Sequence, residues 1–292
     1  MASNKIKVFL EMIKFEHTLF ALPFAYLGMV LGSYEKFNHL PTWVQFFWIT
    51  LAMVGARSAA MALNRLIDNV VDGLNPRTKM RAIPQGQLSI KETIIFVTVS
   101  LLVFIVATLQ LSPLAIKLLP IALIVLVFYS YTKRFTWLCH FILGGAIGLA
   151  PVGAWVAVTN ELSFASVVLY IIVLLWTAGF DIIYATQDID FDREYGLFSI
   201  PQRFGIKNAL IIARITHGVT VIGLICFYFL VNVGIWYIIG IIIANFILHY
   251  EHSIISPTDL SRLNTAFFTM NGVLSVIIFV FTFIDVLFKL YL

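Results

Sequence analysis

Apolar runs of about twenty residues return again and again along this 292-residue chain. Each is long enough to cross the roughly 30 Å hydrocarbon core of a bilayer as α-helix. In lipid every backbone polar group must be satisfied internally, so runs of this length fold as helices, and the sequence has no series of short alternating strands of the kind that closes a spanning barrel. With 61% hydrophobic residues, 12% charged residues and a mean hydropathy of +0.96, the composition lies outside the soluble range. The fold class that follows is all-α, a polytopic membrane protein.

Nine spans are read, at 17–34, 44–66, 93–111, 113–131, 139–158, 163–185, 207–231, 234–251 and 266–288. Two divisions rest on little: Leu111-Ser112-Pro113 separates the third span from the fourth, and Asn232-Val233-Gly234 the seventh from the eighth. No composition shift or long polar linker divides the chain, which predicts one membrane domain over residues 1–292. In this scheme Lys5, Lys7, Lys14, Arg65, Arg77, Lys79, Arg81, Lys91, Lys133, Arg134, Arg193, Arg203, Lys207 and Arg262 share one side, against Lys36, Lys117 and Lys289 on the other. The positive-inside rule makes the first side cytoplasmic. The expectation is a multi-pass protein of the cell membrane with its N-terminus inside.

Glu11, Glu16 and His17 interrupt any secretory apolar core, so the first residues are expected to be retained. Ile6, Phe9, Leu10 and Ile13 fall at helical spacing opposite Lys5, Lys7 and Lys14, a pattern suited to a helix lying on the anionic leaflet. Cys139 and Cys226 are too far apart in sequence to suggest a metal pair, and both lie in or beside apolar spans. The net charge of +4 reflects inner-face loops, and no recognition motif argues for nucleic acid. The lipid bilayer is the implied partner.

Against this hydrocarbon background stand two acidic clusters, Asn64-x3-Asp68-x3-Asp72 and Asp181-x6-Asp188-x3-Asp192, each closing an apolar run. Residues four apart share a helix face, so Asn64, Asp68 and Asp72 predict a column of oxygen ligands, with Asp188 and Asp192 forming a second. Asp181 lies near the same face as Asp188. Negative charge gathered in a partly dry site is unfavourable until a cation relieves it. Mg²⁺ wants oxygen ligands and bridges one or two carboxylates to substrate phosphates. Solvated acids at helix ends are the plainer reading of either cluster alone; two at matched depth favour a metal site. The spacing of the clusters, four spans apart, also hints at two equivalent four-helix halves.

Cations flank both clusters. Arg77, Lys79 and Arg81 follow the first, and Lys133 and Arg134 close the fourth span, where they supply donors to a diphosphate or serve topology alone. Arg57 precedes Asn64 by two helical turns, about 10 Å deeper at 1.5 Å per residue. A buried arginine is costly and marks function by default. It either meets a carboxylate or phenolate of an acceptor substrate or pairs with a buried acid such as Asp181. Tyr129-x3-Lys133 repeats the four-residue spacing at a helix end, where an interfacial anchor is the common reading. His249 and His252 read as interfacial residues.

Taken together, Asn64-Arg65-Leu66-Ile67-Asp68-Asn69-Val70-Val71-Asp72, then Asn75-Pro76-Arg77-Thr78, and Asp181-Ile182-Ile183-Tyr184-Ala185-Thr186-Gln187-Asp188-Ile189-Asp190-Phe191-Asp192 resemble the two aspartate-rich motifs of the UbiA superfamily of intramembrane aromatic prenyltransferases. The likeness extends to His17-Thr18-Leu19-Phe20-Ala21-Leu22-Pro23 and to Tyr129-x3-Lys133, covering most of the chain. The resemblance implies nine helices around a central cavity open to the cytoplasmic side, Mg²⁺ as cofactor, and a polyprenyl diphosphate donor. Carried over by position, it implies metal binding by Asn64, Asp68, Asp72, Asp188 and Asp192. It implies catalytic roles for Asp68, Asp188, Arg57, Tyr129 and Lys133. Substrate contacts fall to Arg57, Arg77, Lys79, Arg81, Lys133, Arg134, Asp181 and Tyr184, with Asp190 given no ligand role.

Within that superfamily the likeness is nearest to bacterial 4-hydroxybenzoate polyprenyltransferases of quinone biosynthesis, including relatives that prenylate 1,4-dihydroxy-6-naphthoate. Arg77-Thr78 and Arg81-x2-Pro84 are shared with haem O synthases, which leaves the aromatic acceptor open while the prenyl transfer stands. Two other classes compete. A transporter coupled through buried acids would place them at mid-membrane, and here they sit at the rim. A CDP-alcohol phosphotransferase needs a Gly-x3-Asp-x3-Asp continuation that follows neither cluster.

Overall fold

The structure, a computed structural model, describes residues 2–13 and 18–292. Expectations resting on Lys14, Glu16 and His17 therefore fall outside the described residues. The chain folds into helices α1 (Ala2–Met12), α2 (Thr18–Phe37), α3 (Trp43–Ile67), α4 (Asn69–Leu74), α5 (Ile90–Leu109), α6 (Pro113–Phe128), α7 (Cys139–Thr159), α8 (Phe164–Ala185), α9 (Ile189–Glu194), α10 (Ile200–Tyr228), α11 (Ile235–Ser253) and α12 (Asn271–Tyr291). Short 3₁₀ segments follow α6 and α8, and a π-helical turn, Thr265–Met270, precedes α12.

Local chemistry explains the starts. Thr42 and Gln45 form a reciprocal capping box ahead of α3, and Ser89 and Glu92 form another ahead of α5. Ser112, Ser163 and Ser199 accept N–H bonds at the heads of α6, α8 and α10. At the far end of α7, Asn160 (φ 57°) closes the helix in the left-handed conformation that asparagine tolerates.

Among the described residues, eight helices are long and apolar enough to cross a membrane. The first expected span falls on α2, 20 residues long, which packs against α7 and α12. With little hydrophobic drive between helices in lipid, close approach depends on small residues. A Cβ at Gly144 of α7 would collide with the Leu174 carbonyl of α8, and one at Gly28 of α2 with the Pro151 carbonyl of α7. α7 is thereby held between α2 and α8. The core joins α2, α7, α8, α10, α11 and α12 through Leu27, Leu31, Leu169, Ile278 and the buried rings of Trp176, Phe227 and Tyr237.

Three sequence expectations shift. The seventh span begins at Ile200 rather than 207, because Ser199 caps it and Pro201 suits a first turn; its axis turns at Gly205 (φ 79°, ψ 162°). The column over Asn64, Asp68 and Asp72 is not one continuous helix: α3 ends at Ile67, and Asp68 (φ −90°, ψ 3°) joins it to α4. Asp188 (φ −102°, ψ 6°) makes the same joint ahead of α9. Both aspartates thus sit at a bend between a long helix and a six-residue one, in the sparsely populated bridge region where many site residues lie.

Candidate active site

The first motif is assembled by the α3–α4 bend and the loop after it. Asn64 donates from Nδ2 to Asp68 Oδ2 at 3.1 Å, and Arg65 donates to Asn64 Oδ1 at 3.1 Å, which fixes the amide's orientation. Asp68, 3% exposed, receives Arg134 Nη2 at 2.8 Å, with Lys133 Nζ at 3.6 Å. Arg81 Nη1 reaches both oxygens of buried Asp72 at 2.6 Å, while Thr78 Oγ1 donates to the Asp72 carbonyl at 3.0 Å. The loop is shaped, with Asn75 Oδ1 accepting the Arg77 N–H at 2.9 Å in an Asx turn.

That turn carries the first motif onto the second. Asn75 Nδ2 donates to Asp188 Oδ1 at 3.0 Å, and Arg77 forks onto the same carboxylate, Nε to Oδ1 at 2.8 Å and Nη2 to Oδ2 at 2.6 Å. Arg77 Nη1 also donates to the Tyr184 hydroxyl at 3.3 Å. Burial opposes the Arg77 cation, yet the hydrogen bonds and charge of Asp188 hold it above its ordinary pKa. Asp192 accepts the Ser199 hydroxyl at 2.8 Å, and the Phe198 N–H donates to the Lys133 carbonyl at 2.7 Å, which brings the second motif against the 3₁₀ segment Tyr129–Arg134. The aspartate-bearing bends, far apart in sequence, therefore form one charged mouth.

A cavity of about 500 Å³ runs between α3, α5, α6, α7 and the start of α8. Its wall is apolar except for a few groups, among them Arg57, Thr108, Tyr129 and Tyr170. Arg57 faces it two turns below Asn64, as the spacing required. A second, polar pocket of about 260 Å³ opens at the mouth between Glu11 and Met12 of α1, Arg65, Asp72, Arg77 and Arg81.

Some expected partnerships differ. Asp181, a candidate partner for Arg57, bonds His140 Nδ1 at 2.7 Å instead. Tyr129 and Lys133 lie in a 3₁₀ segment, where positions four apart diverge by about 120° at three residues per turn. Tyr129 accordingly turns to α3, donating to the Ala60 carbonyl at 3.0 Å, while Lys133 faces Asp68. Lys79 is exposed and bonds no acid among the described residues, and Asp190 is exposed. Asn75, Arg65, Ser199 and His140 belong to the assembly although charge spacing does not single them out. A Ser-Ile-Pro sequence ahead of an apolar run is the capping signal that could have found Ser199.

Carboxylate and amide oxygens are the hard donors that Mg²⁺ prefers. Among the described residues no three His, Cys, Asp or Glu side chains converge on one point. Magnesium needs only one or two carboxylates when phosphate and water oxygens complete its shell, so the donor set of the mouth fits it.

Helices that cross a membrane, a mouth where acids and guanidinium groups alternate, and an apolar cavity beneath it define a multi-pass membrane protein built for a ligand with a charged head and an apolar body. The chain belongs to the UbiA prenyltransferase family, whose description matches residues 21–273, and is an enzyme, a prenyltransferase. A curated relative, the 4-hydroxybenzoate octaprenyltransferase of Aliivibrio fischeri (strain MJ11), is 31% identical over 234 residues, 80% of this chain and 81% of its own. The apo structure of a UbiA homolog from Aeropyrum pernix K1 superposes with a TM-score of 0.83 at 31% identity, over 92% of this chain and 98% of that one. A UbiA homolog from Archaeoglobus fulgidus bound to GPP and Mg²⁺ shares the fold, with a TM-score of 0.71 at 19% identity over 96% of this chain and 99% of that one.

Proposed function

We propose that the chain, acting as one domain of the cell membrane with its N-terminus and charged mouth in the cytoplasm, transfers a polyprenyl group from its diphosphate to a ring carbon of a small hydroxylated aromatic acid. The acceptor of the curated relatives, 4-hydroxybenzoate, is the first candidate, and 1,4-dihydroxy-6-naphthoate the second; either reaction belongs to quinone biosynthesis. The observation that carries the reading is the union of both motifs at Asp188, where Asn75 and Arg77 dock, at the same mouth as Asn64, which lies two turns above the cavity-facing Arg57.

Asn64, Asp68, Asp72, Asp188 and Asp192 are the residues that would hold magnesium, which when bound offsets charge on a departing diphosphate. Arg65, Arg77, Arg81, Lys133 and Arg134 supply the donors for the diphosphate, guanidinium groups in bidentate form. These donors stabilise charge as the allylic C–O bond breaks. Arg57 holds the acceptor's carboxylate or phenolate in the cavity, and the Tyr129 hydroxyl and the apolar wall complete that side. The wall excludes water from the allylic cation, which the ring carbon attacks.

Purified protein given geranyl diphosphate, Mg²⁺ and either acceptor is expected to form a C-prenylated product, to stop with EDTA and to resume with added Mg²⁺. Wild-type turnover in both Asp68→Asn and Asp188→Asn would overturn the metal and diphosphate assignments. Failure of every aromatic acid tested would overturn the acceptor class.

A further inference from the structure

Alanine recurs at every fourth position along two of the helices that wall the apolar cavity. Ala52, Ala56 and Ala60 line it from α3, and Ala146, Ala150 and Ala154 line it from α7. Residues four apart stack along one helix face, so each set forms a ladder of methyl groups rising about 6 Å per step. The two helices run antiparallel, α3 ending at the mouth with Ile67 and α7 leaving it from Cys139, whose Sγ lies 3.4 Å from the Phe198 carbonyl. Counted from those ends, both ladders have rungs at seven, eleven and fifteen residues, which sets them in three matched pairs about 10, 16 and 22 Å deep. The cavity exists because small side chains meet at each level; protein interiors are otherwise close-packed. A Cβ added at Gly153, beside Ala154, would meet no atom within 4 Å, so space persists at the third rung.

The lining divides by polarity. Tyr129 reaches the first rung, where its hydroxyl bonds the Ala60 carbonyl, and the Tyr170 hydroxyl lies against Gly145, beside Ala146 of the same rung. Arg57, next to Ala56, is the one charged residue that lines the cavity among the described residues. Beyond it the wall continues to Ile49, eight residues or about 12 Å farther along α3. Thr108 turns its hydroxyl to the Phe104 carbonyl of its own helix at 2.8 Å. A hydroxylated aromatic acid therefore meets its polar partners only near the mouth, and a single ring fills only that end of a cavity of about 500 Å³. The deep end suits a slender hydrocarbon, whose removal from water is favourable. The donor carries one, tethered at the mouth by its diphosphate.

We infer that the donor's prenyl tail runs between the two alanine ladders and that the second and third rungs decide which chain lengths are turned over. The inference rests on the proposed reaction. An isoprene unit carries four chain bonds of about 1.5 Å, so one extended unit covers close to one rung spacing. Counted from the diphosphate, the second unit reaches the first rung, the third unit the second, and the fourth unit the third. A geranyl tail thus ends at the first rung, a farnesyl tail at the second and a geranylgeranyl tail at the third. Each added unit passes between one more pair of methyl groups.

The test uses full-length protein in lipid nanodiscs with Mg²⁺, the active acceptor and geranyl, farnesyl or geranylgeranyl diphosphate, and reads kcat/KM for each donor. Ala56→Leu and Ala150→Leu narrow the second rung from either helix, and Ala52→Leu and Ala154→Leu narrow the third. One methylene in a hydrophobic pocket is worth about tenfold or more, and leucine brings several carbons into the path. Both second-rung variants should lower the farnesyl-to-geranyl ratio of kcat/KM about tenfold or more. Both third-rung variants should lower the geranylgeranyl-to-farnesyl ratio as much and keep the wild-type farnesyl-to-geranyl ratio. Turnover of geranyl diphosphate reports the fold of each variant. A variant that fails with every donor is read through its partner across the rung, and valine replaces leucine where neither partner folds.

Equal losses with all three donors, or a cut-off that stays put between rungs, would leave the cavity to the acceptor or to a lipid acyl chain and overturn the inference. Different cut-offs from the two variants of one rung would do the same, as would a wild type that stops at geranyl diphosphate. A wild type that prenylates no aromatic acid with any donor fails the proposed function instead. A wild type active with all three, and unchanged ratios in every variant, fails this inference alone.

Discussion

Asp188 receives three donors, two from Arg77 and one from Asn75, so the amide and the guanidinium can be separated by mutation. Asn75→Ala removes one bond to a charged group, worth about 1.5–3 kcal/mol, and with it the Asx-turn acceptor of the Arg77 N–H. Steady-state kinetics should then show kcat/KM for the donor falling about tenfold or more. At Arg57, truncation to alanine is expected to raise the acceptor KM well above any change in the donor KM; the opposite split would place Arg57 on the diphosphate. These residues differ in how plainly the sequence announces them. Asp68, Asp188 and Arg57 stand out because a charge beside hydrocarbon needs a reason. Asn75 and His140 act through short hydrogen bonds set by loop shape, and an asparagine or histidine at such a place is ordinary until the fold brings its partner. The Tyr129–Lys133 spacing misleads for a related reason, since helical periodicity assumes an α-helix where the backbone winds as 3₁₀.

The helices themselves were largely legible because span length and hydropathy fix them, and the misses lie where polar residues extend or bend an element. Ser199 is the clearest instance, serving as N-cap of α10 and as donor to Asp192. Ser199→Ala should cost about 1 kcal/mol of stability, read as a lowered Tm, and should also reduce turnover through Asp192; Ser199→Thr keeps the hydroxyl and is expected to keep most of both. Gly144 tests the packing of α7 on α8. Any side chain there must displace the Leu174 backbone, so Gly144→Leu should yield little folded protein by size-exclusion chromatography in detergent, whereas exposed Gly153, with no neighbour near its Cβ position, should accept alanine.

At the scale of the whole molecule, both motif loops lie at one end of the bundle, and the proposed orientation, argued from the charge bias of the sequence, predicts that this end faces the cytoplasm. Single cysteines at exposed Lys79 and Asp190, in a background with Cys139 and Cys226 changed to serine, should react with a membrane-impermeant maleimide in inside-out vesicles and resist it in intact cells. Labelling of both from outside would invert the orientation. The mouth these loops form has one further property. Every motif carboxylate with a basic partner is already neutralised from within, Asp68 by Arg134 and Lys133, Asp72 by Arg81, Asp188 by Arg77. A divalent ion arriving alone meets arginines in its way, and a lone polyanion finds those arginines engaged. Each ligand releases the groups the other requires, so titration calorimetry should find either one bound more tightly after the other, a mutual dependence that would spare the enzyme from being clogged by inorganic phosphate or stray metal.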